Sequence, residues 1–217
     1  MTGVHLSLRK QGLREIPNSV WQRTGLETLV LSENELSAVP IDIGRLKRLR
    51  MLDLGHNRLT SVPDALGDLE GLSDFLYLHD NRLADLPPSL ARLHRLRYLN
   101  ISANRFEFLP PAVAGMTGLV ELRVTDNPLT SLAASLEPLT RLRELHLRNN
   151  ALSALPDSVG ALRELRLLDL RGNPLTTLPA TLAGLPRLEK LDLRWVDTLE
   201  PPAWFADLEA RGCLIYR

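Results

Sequence analysis

Aliphatic positions recur along the chain in one grouping, Leu-x-x-Leu-x-Leu-x-x-Asn, from Leu26 to Asn34, Leu49 to Asn57, Leu96 to Asn104, Leu119 to Asn127, Leu142 to Asn150 and Leu165 to Asn173. The repeat is 23 residues long; the copy from Leu72 to Asn81 carries one extra residue before Leu78. Degenerate copies, Leu6-Ser-Leu8 and Leu191-Asp-Leu193, end at Gln11 and Val196, so nine repeats follow one another without a linker. In each Leu-x-Leu segment the alternation has period two, which predicts a short strand with its leucines inward and the intervening side chains outward. After each Asn comes a second stretch, such as Leu36-Ser-Ala-Val-Pro40 or Leu152-Ser-Ala-Leu-Pro156, then an apolar residue and a leucine, as at Ile43 and Leu46. Pro17, Pro40, Pro63, Pro87, Pro110, Pro156 and Pro179 lack a donor and fix φ, which predicts extended or 3₁₀ segments with at most short helices on the outer side. Ala133 interrupts that proline series.

A single coil of this length cannot bury its own leucines. Stacking buries them against the next coil, with parallel strands about 4.8 Å apart, and predicts an elongated, curved solenoid held together by neighbouring coils. The recurring Asn carries donors and an acceptor for backbone groups stranded where each coil leaves the sheet, so it belongs to the scaffold. Both ends depart from the pattern. Arg23 stands where other repeats place Leu46 or Leu69, and Trp21 beside it is expected to cover the first coil. Residues 197–217 are expected to cap the last coil: Pro201 to Gly212 reads as a short helix, followed by Cys213-Leu-Ile-Tyr216. Within that cap Cys213 reads as a packed small hydrophobe and not as a nucleophile.

The repeated motif resembles that of the leucine-rich repeat family, and its Leu-Pro half is similar to the intracellular branch, which includes Ras-scaffolding, plant cytosolic and many bacterial proteins. The resemblance spans nearly the whole chain. It implies an α/β solenoid, a curved horseshoe with a parallel sheet on its concave face and short helical, 3₁₀ or extended segments on its convex face. Residues 1–217 would then form one domain, and its function would be non-catalytic protein binding.

Composition narrows the alternatives. The fifty leucines make up 23% of 217 residues, and 26 Lys+Arg balance 26 Asp+Glu. No global basic field exists to attract nucleic acid. Arg123, Arg148, Arg171, Lys190 and Arg194 are also interleaved with Glu121, Asp126, Glu144, Asp169 and Asp192. The longest uncharged run, Gly172 to Pro186, has fifteen residues and two internal prolines. That is short of the roughly 18–20 apolar residues of a membrane span. The first ten residues contain no apolar run of signal-peptide length, and the one cysteine fits a reducing compartment; a cytoplasmic, monomeric protein is expected. Three lysines beside 23 arginines, with frequent alanine, suggest a high-GC bacterial genome.

Chemistry must lie on the outward strand positions, which vary while the leucines do not. Three catalytic or metal readings can be assembled there. His79 with Ser102 and Asp53 or Asp80 would make a hydrolytic triad, but no nucleophile elbow or oxyanion hole accompanies them. Asp169 and Asp192 would make a carboxylate pair, but on an open, solvated charge ladder that does not separate their pKa values. Asp53, His56, His79 and Asp80 match no compact metal-ligand spacing, and no glycine loop cradles phosphate, so no cofactor or metal is expected. Met51, Phe75, Tyr77 and Tyr98 instead gather three of ten aromatics on neighbouring strands, as protein interfaces favour. The candidate partner site is Met51, Asp53, Phe75, Tyr77, His79, Tyr98, Asn100, Arg123, His146 and Arg148. It would take an unidentified protein or, alternatively, a glycan or lipid headgroup. Phe75, beside the inserted residue, has a second reading in which a bulge turns it into the core. Phe108, where other repeats hold Ala38 or Ser61, marks a possible second contact surface.

Overall fold

The computed structural model describes residues 4–132 and 136–217. Among them ten three-residue strands form one parallel sheet in sequence order: β1 His5–Ser7, β2 Thr28–Val30, β3 Met51–Asp53, β4 Phe75–Tyr77, β5 Tyr98–Asn100, β6 Glu121–Arg123, β7 Glu144–His146, β8 Leu167–Asp169, β9 Lys190–Asp192 and β10 Leu214–Tyr216. The central leucines of the strands stand in register, Leu29 against Leu52, Leu76, Leu99 and onward to Leu191. All of these are sealed from solvent, and the buried side chains form one continuous cluster from Ile16 to Cys213. This is an α/β leucine-rich repeat solenoid.

On the other side of each coil the prolines act through their carbonyls. Pro40 O accepts the Ile43 N–H at 3.1 Å and Pro63 O the Leu66 N–H at 3.0 Å, each opening a five-residue 3₁₀ turn, Ile41–Arg45 and Asp64–Asp68. Pro17, Pro87, Pro156 and Pro179 begin equivalent turns. One coil instead forms the four-residue α-helix α1, Ala112–Gly115. The break in the proline series at Ala133 lies outside the described residues.

The asparagines brace each exit from the sheet. Asn104 Nδ2 lies 3.0 Å from the Leu78 carbonyl of the preceding coil and 3.1 Å from the Ile101 and Ser102 carbonyls of its own. Its Oδ1 accepts the Leu83 N–H at 2.9 Å. Asn34, Asn57, Asn81, Asn127, Asn150 and Asn173 repeat the pattern. The residue before each of them turns left-handed: Glu33, His56, Asp80, Ala103, Asp126, Asn149 and Gly172 have φ between 51° and 65°. A left-handed non-glycine residue costs about 1 kcal/mol or more, so the amide bonds hold a turn that the backbone alone disfavours.

The inserted residue does not create a bulge. In regular coils two successive N–H groups share one carbonyl of the preceding coil: Arg50 and Met51 donate to Glu27 O, and Val120 and Glu121 to Arg97 O. At the insertion this pair separates, with Arg97 donating to Ser73 O and Tyr98 to Asp74 O. The extra length is absorbed in the loop before β4. Phe75 keeps register with Met51 and Tyr98 and stays outward, which removes the core-facing reading.

At the end of the chain the helix is shorter than the sequence suggests, α2 spanning Phe205–Ala210. Gly212 at φ 90° reverses the chain, and Leu214–Tyr216 adds a tenth strand beside β9, which the leucine pattern did not reveal. Phe205, Leu208 and Cys213 are buried against the last coil, and Trp21 is buried at the other end.

Asn104→Ala should lower stability by about 1–3 kcal/mol, because it strands buried backbone groups, whereas Val196→Asn should change it far less; denaturant melts measure both, and equal midpoints for Asn104→Ala and wild type would contradict the amide brace. Burial also pushes the Cys213 thiol above its ordinary pKa. It should therefore resist alkylation in the native chain and react on denaturation, and labelling at a free-thiol rate would show that the cap is not closed.

Candidate functional site

The open face of the sheet carries the outward side chains in two aligned rows. One row reads Met51, Phe75, Tyr98, Glu121, Glu144, Leu167 and Lys190; the other reads Asp53, Tyr77, Asn100, Arg123, His146, Asp169 and Asp192. Eight of the ten residues proposed from the sequence lie on β3 to β6 or just beyond β4. His146 and Arg148, on and after β7, lead into a charged region.

Phe75, Tyr77 and Tyr98 pack on one another. Their ring centroids are 5.9 Å apart for Phe75–Tyr77, 5.5 Å for Phe75–Tyr98 and 5.1 Å for Tyr77–Tyr98. Phe75 remains 42% exposed, and the half-buried Met51 borders it across the register, so the Phe75 ring stays in contact with water. The Arg123 guanidinium stands 6.0 Å from the Tyr98 ring centre, a favourable contact with the π-face. Burial pushes both tyrosine hydroxyls above the usual phenol range, reinforced at Tyr77 by the Asp53 and Glu121 charges. They are neutral donors at physiological pH.

His79 extends this cluster. Its ring meets Tyr77 edge-on at 5.9 Å and His56 at 4.8 Å. It lies over Gly55, where a Cβ would come within 2.4 Å of the imidazole and force the ring to shift. Burial, then the neighbouring His56, pushes its pKa below the ordinary 6.5, and its buried Nδ1 has no hydrogen-bond partner. Ser102 Oγ accepts the Thr125 N–H, and among the described residues no hydrogen bond joins His79 to Ser102. His56 pairs with Asp80, while Asp53 accepts the Gly55 N–H at 2.9 Å. The triad geometry is therefore not assembled.

The charged half differs from the solvated ladder that the sequence suggested. Asp169 and Asp192 are 4% and 1% exposed, hence desolvated. Each is clamped by the arginine two residues on: Arg171 forks onto Asp169 at 2.8 and 2.7 Å, and Arg194 onto Asp192 at 2.9 and 2.8 Å. Burial alone would raise the Asp192 pKa, but Arg194 and Arg171 outweigh it and hold the carboxyl below the usual range. A carboxylate fixed in this way is a poor proton acceptor. Arg148 reaches Asp126 at 3.3 Å, while its buried Nε has no partner.

Several residues in these surroundings were not among the site residues proposed from the sequence. Arg50, Asp74 and Arg97 line a recess beside Phe75 and Tyr98, one position ahead of the strands or coupled to the inserted residue. Glu121 and Glu144 flank His146. Tyr216 on β10 lies under Lys190 and Arg194, at 4.8 and 5.5 Å. Reading the row of residues preceding each strand would have found the first group. Tyr216 belongs to no repeat and left no signal. Phe108, away from these rows, is 54% exposed beside Asp85, Arg105 and Pro111.

Because the His79 pKa is lower in the fold than in the unfolded chain, the unfolded chain takes up more protons as pH falls through 6.5. Acidification should therefore lower stability through this group, and neutral pH should relieve it. NMR titration of His79 should give a midpoint below 6.5, and a midpoint at or above that value would contradict the buried, unpaired imidazole.

Among solved structures the chain is similar to a leucine-rich repeat protein of Leptospira interrogans, with a TM-score of 0.72 and 25% identity, covering 97% of this chain and 64% of that one. The chain thus spans a little less than two thirds of that protein. It is similar to the ectodomain of the Arabidopsis thaliana receptor kinase GASSHO1/SCHENGEN3 in complex with CASPARIAN STRIP INTEGRITY FACTOR 2, with a TM-score of 0.69 and 29% identity over 92% of this chain and 27% of that one. Internalin C2 of Listeria monocytogenes shares the fold, with a TM-score of 0.72 and 23% identity over 91% of this chain and 80% of that one. No curated protein matches at the sequence level. Among the described residues no helix is long and apolar enough to cross a membrane. Such solenoids are generally protein-interaction scaffolds and typically non-catalytic. The leucine-rich repeat family model matches residues 4–59, 24–75, 74–129 and 140–195, and the chain belongs to the leucine-rich repeat family.

Proposed function

We propose that the protein is a non-catalytic binding scaffold that holds a protein partner on the open, concave face of its sheet, with Met51, Phe75, Tyr77 and Tyr98 as the centre. The observation that carries this reading is the mutually packed aromatic trio left on an exposed face of short strands. Aromatic side chains offer large contact area with few rotors to immobilise, and a tyrosine hydroxyl keeps the surface compatible with water before binding. Asp53, His79, Asn100 and Arg123 border that centre with polar groups, and His146 and Arg148 extend it toward β7. The Arabidopsis relative, whose structure contains a bound factor, supports the class of function. A cytoplasmic bacterial protein remains the setting that the composition favours.

Affinity capture from the source organism, with sheet-face variants alongside, tests the reading. Tyr77→Ala and Tyr98→Ala should each weaken binding of the captured protein tenfold or more, about 1.4 kcal/mol, and should melt close to wild type because neither is among the stacked leucines. Arg163→Ala, on the outer side of its coil, should leave binding unchanged. Loss on an outer-side substitution with retention in both tyrosine variants would refute the assignment and direct attention to Phe108. Capture of glycans or lipids and no protein would refute the partner class.

A further inference from the structure

The geometry points to a divalent transition-metal site formed by Glu121, Glu144 and His146, separate from the aromatic centre and independent of its role in partner binding. Among the described residues these are the His, Cys, Asp or Glu side chains that converge in a group of three, with one ligand atom from each lying within 4.8 Å of the others. The quartet Asp53, His56, His79 and Asp80, which the sequence brings to mind first, does not converge in this way.

The backbone explains the convergence. Glu121 and Glu144 are paired across the parallel register of β6 and β7, and His146, two residues after Glu144, points from the same face. Two carboxylates directly opposite on adjacent strands repel each other unless a cation lies between them. The imidazole Nε2 lies between them, 3.1 Å from Glu144 Oε2 and 3.7 Å from Glu121 Oε1. Metal–oxygen and metal–nitrogen bonds of about 2.0–2.2 Å place neighbouring ligand atoms roughly 3 to 4 Å apart, so both separations already suit a shared ion.

The surroundings favour a metal over a plain acidic patch. The other imidazole nitrogen, Nδ1, faces Asp169 Oδ2 at 4.0 Å, and Asp169 is itself fixed by Arg171. In the metal-free face Nε2 donates to Glu144 Oε2 at 3.1 Å, and an ion that took the Nε2 lone pair would leave the ring proton on Nδ1, on the side of Asp169. The His146 side chain is only 13% exposed, so few rotamers are lost on coordination. Without an ion, Arg123 Nε holds Glu121 Oε1 at 2.5 Å and offsets part of the repulsion; a bound ion competes with that guanidinium. One imidazole with two carboxylates suits zinc and its borderline neighbours better than magnesium or calcium, which prefer all-oxygen sites. The protein supplies three ligands and leaves the remaining positions to water or to a side chain of a partner.

Titration of the full chain with zinc chloride by calorimetry tests this. Wild type should take up one equivalent with a micromolar dissociation constant. Glu121→Gln, Glu144→Gln and His146→Gln should each weaken it at least tenfold, while His79→Gln should leave it unchanged. Thermal melts of the metal-free variants check that each still folds. Absence of saturable binding by wild type, unchanged affinity in folded Glu144→Gln and His146→Gln, or loss of zinc in His79→Gln would each overturn the assignment. In those cases His146 serves only as a hydrogen-bond partner of Glu144.

Discussion

Everything in this solenoid depends on leucines that no single coil can bury. A three-residue strand has one inward side chain at its centre, and a sheet of such strands closes its core only through contact with the coil on either side. Stacking in register demands that successive coils share one length and one path. The prolines and the asparagines supply that uniformity. Each proline carbonyl starts a turn on the outer side, and each asparagine amide ties its coil to the carbonyl of the preceding one where the backbone turns left-handed. Burial provides the drive and the amides provide the pitch.

This uniformity leaves the outward positions free. Because the leucines and amides satisfy the fold by themselves, residues between the strand leucines can change without loss of packing, and the register brings those of successive repeats into rows. The single insertion shows how strongly the core resists change. Faced with an extra residue, the chain redistributes two hydrogen bonds in the Ser73-Asp74 loop and preserves the strand register. Phe75 consequently joins Tyr77 and Tyr98 on the face, where its exposed ring creates the most distinctive surface of the molecule.

Much of this was legible in the sequence because a repeat states its structural rule many times over. Strands, inward leucines, the asparagine brace and the outward rows follow from period and spacing. The tenth strand was hidden because Leu214-Ile-Tyr216 is a single copy with no partner in the pattern. The left-handed residue before each asparagine was only partly legible: His56, Asp80, Asp126, Asn149 and Gly172 are types that tolerate that conformation, whereas Glu33 and Ala103 are not, and there the amide bonds impose it. At the candidate site, adjacency could be read from the rows, whereas side-chain commitment could not. Which carboxylate takes which arginine, and whether an aspartate is buried by its neighbours, depends on rotamers that spacing does not fix. Asp169 and Asp192 are the clearest case, reading as solvated and proving to be covered.

That difference in commitment divides the open face in physical terms. On β8 and β9 each aspartate is desolvated and already forked by an arginine, so a newcomer there would have to break charge-assisted bonds whose loss leaves a buried carboxylate unpaired. On β4 and β5 the rings touch one another yet keep exposed area, and covering them removes apolar surface from water without breaking a bidentate pair. Between these regions β6 and β7 hold two opposed glutamates whose mutual repulsion Arg123 and His146 only partly offset. The strongest association should therefore be centred on the aromatics. The clamped aspartates serve as a stiff flank, and the strands between them are where an added cation would change the face most.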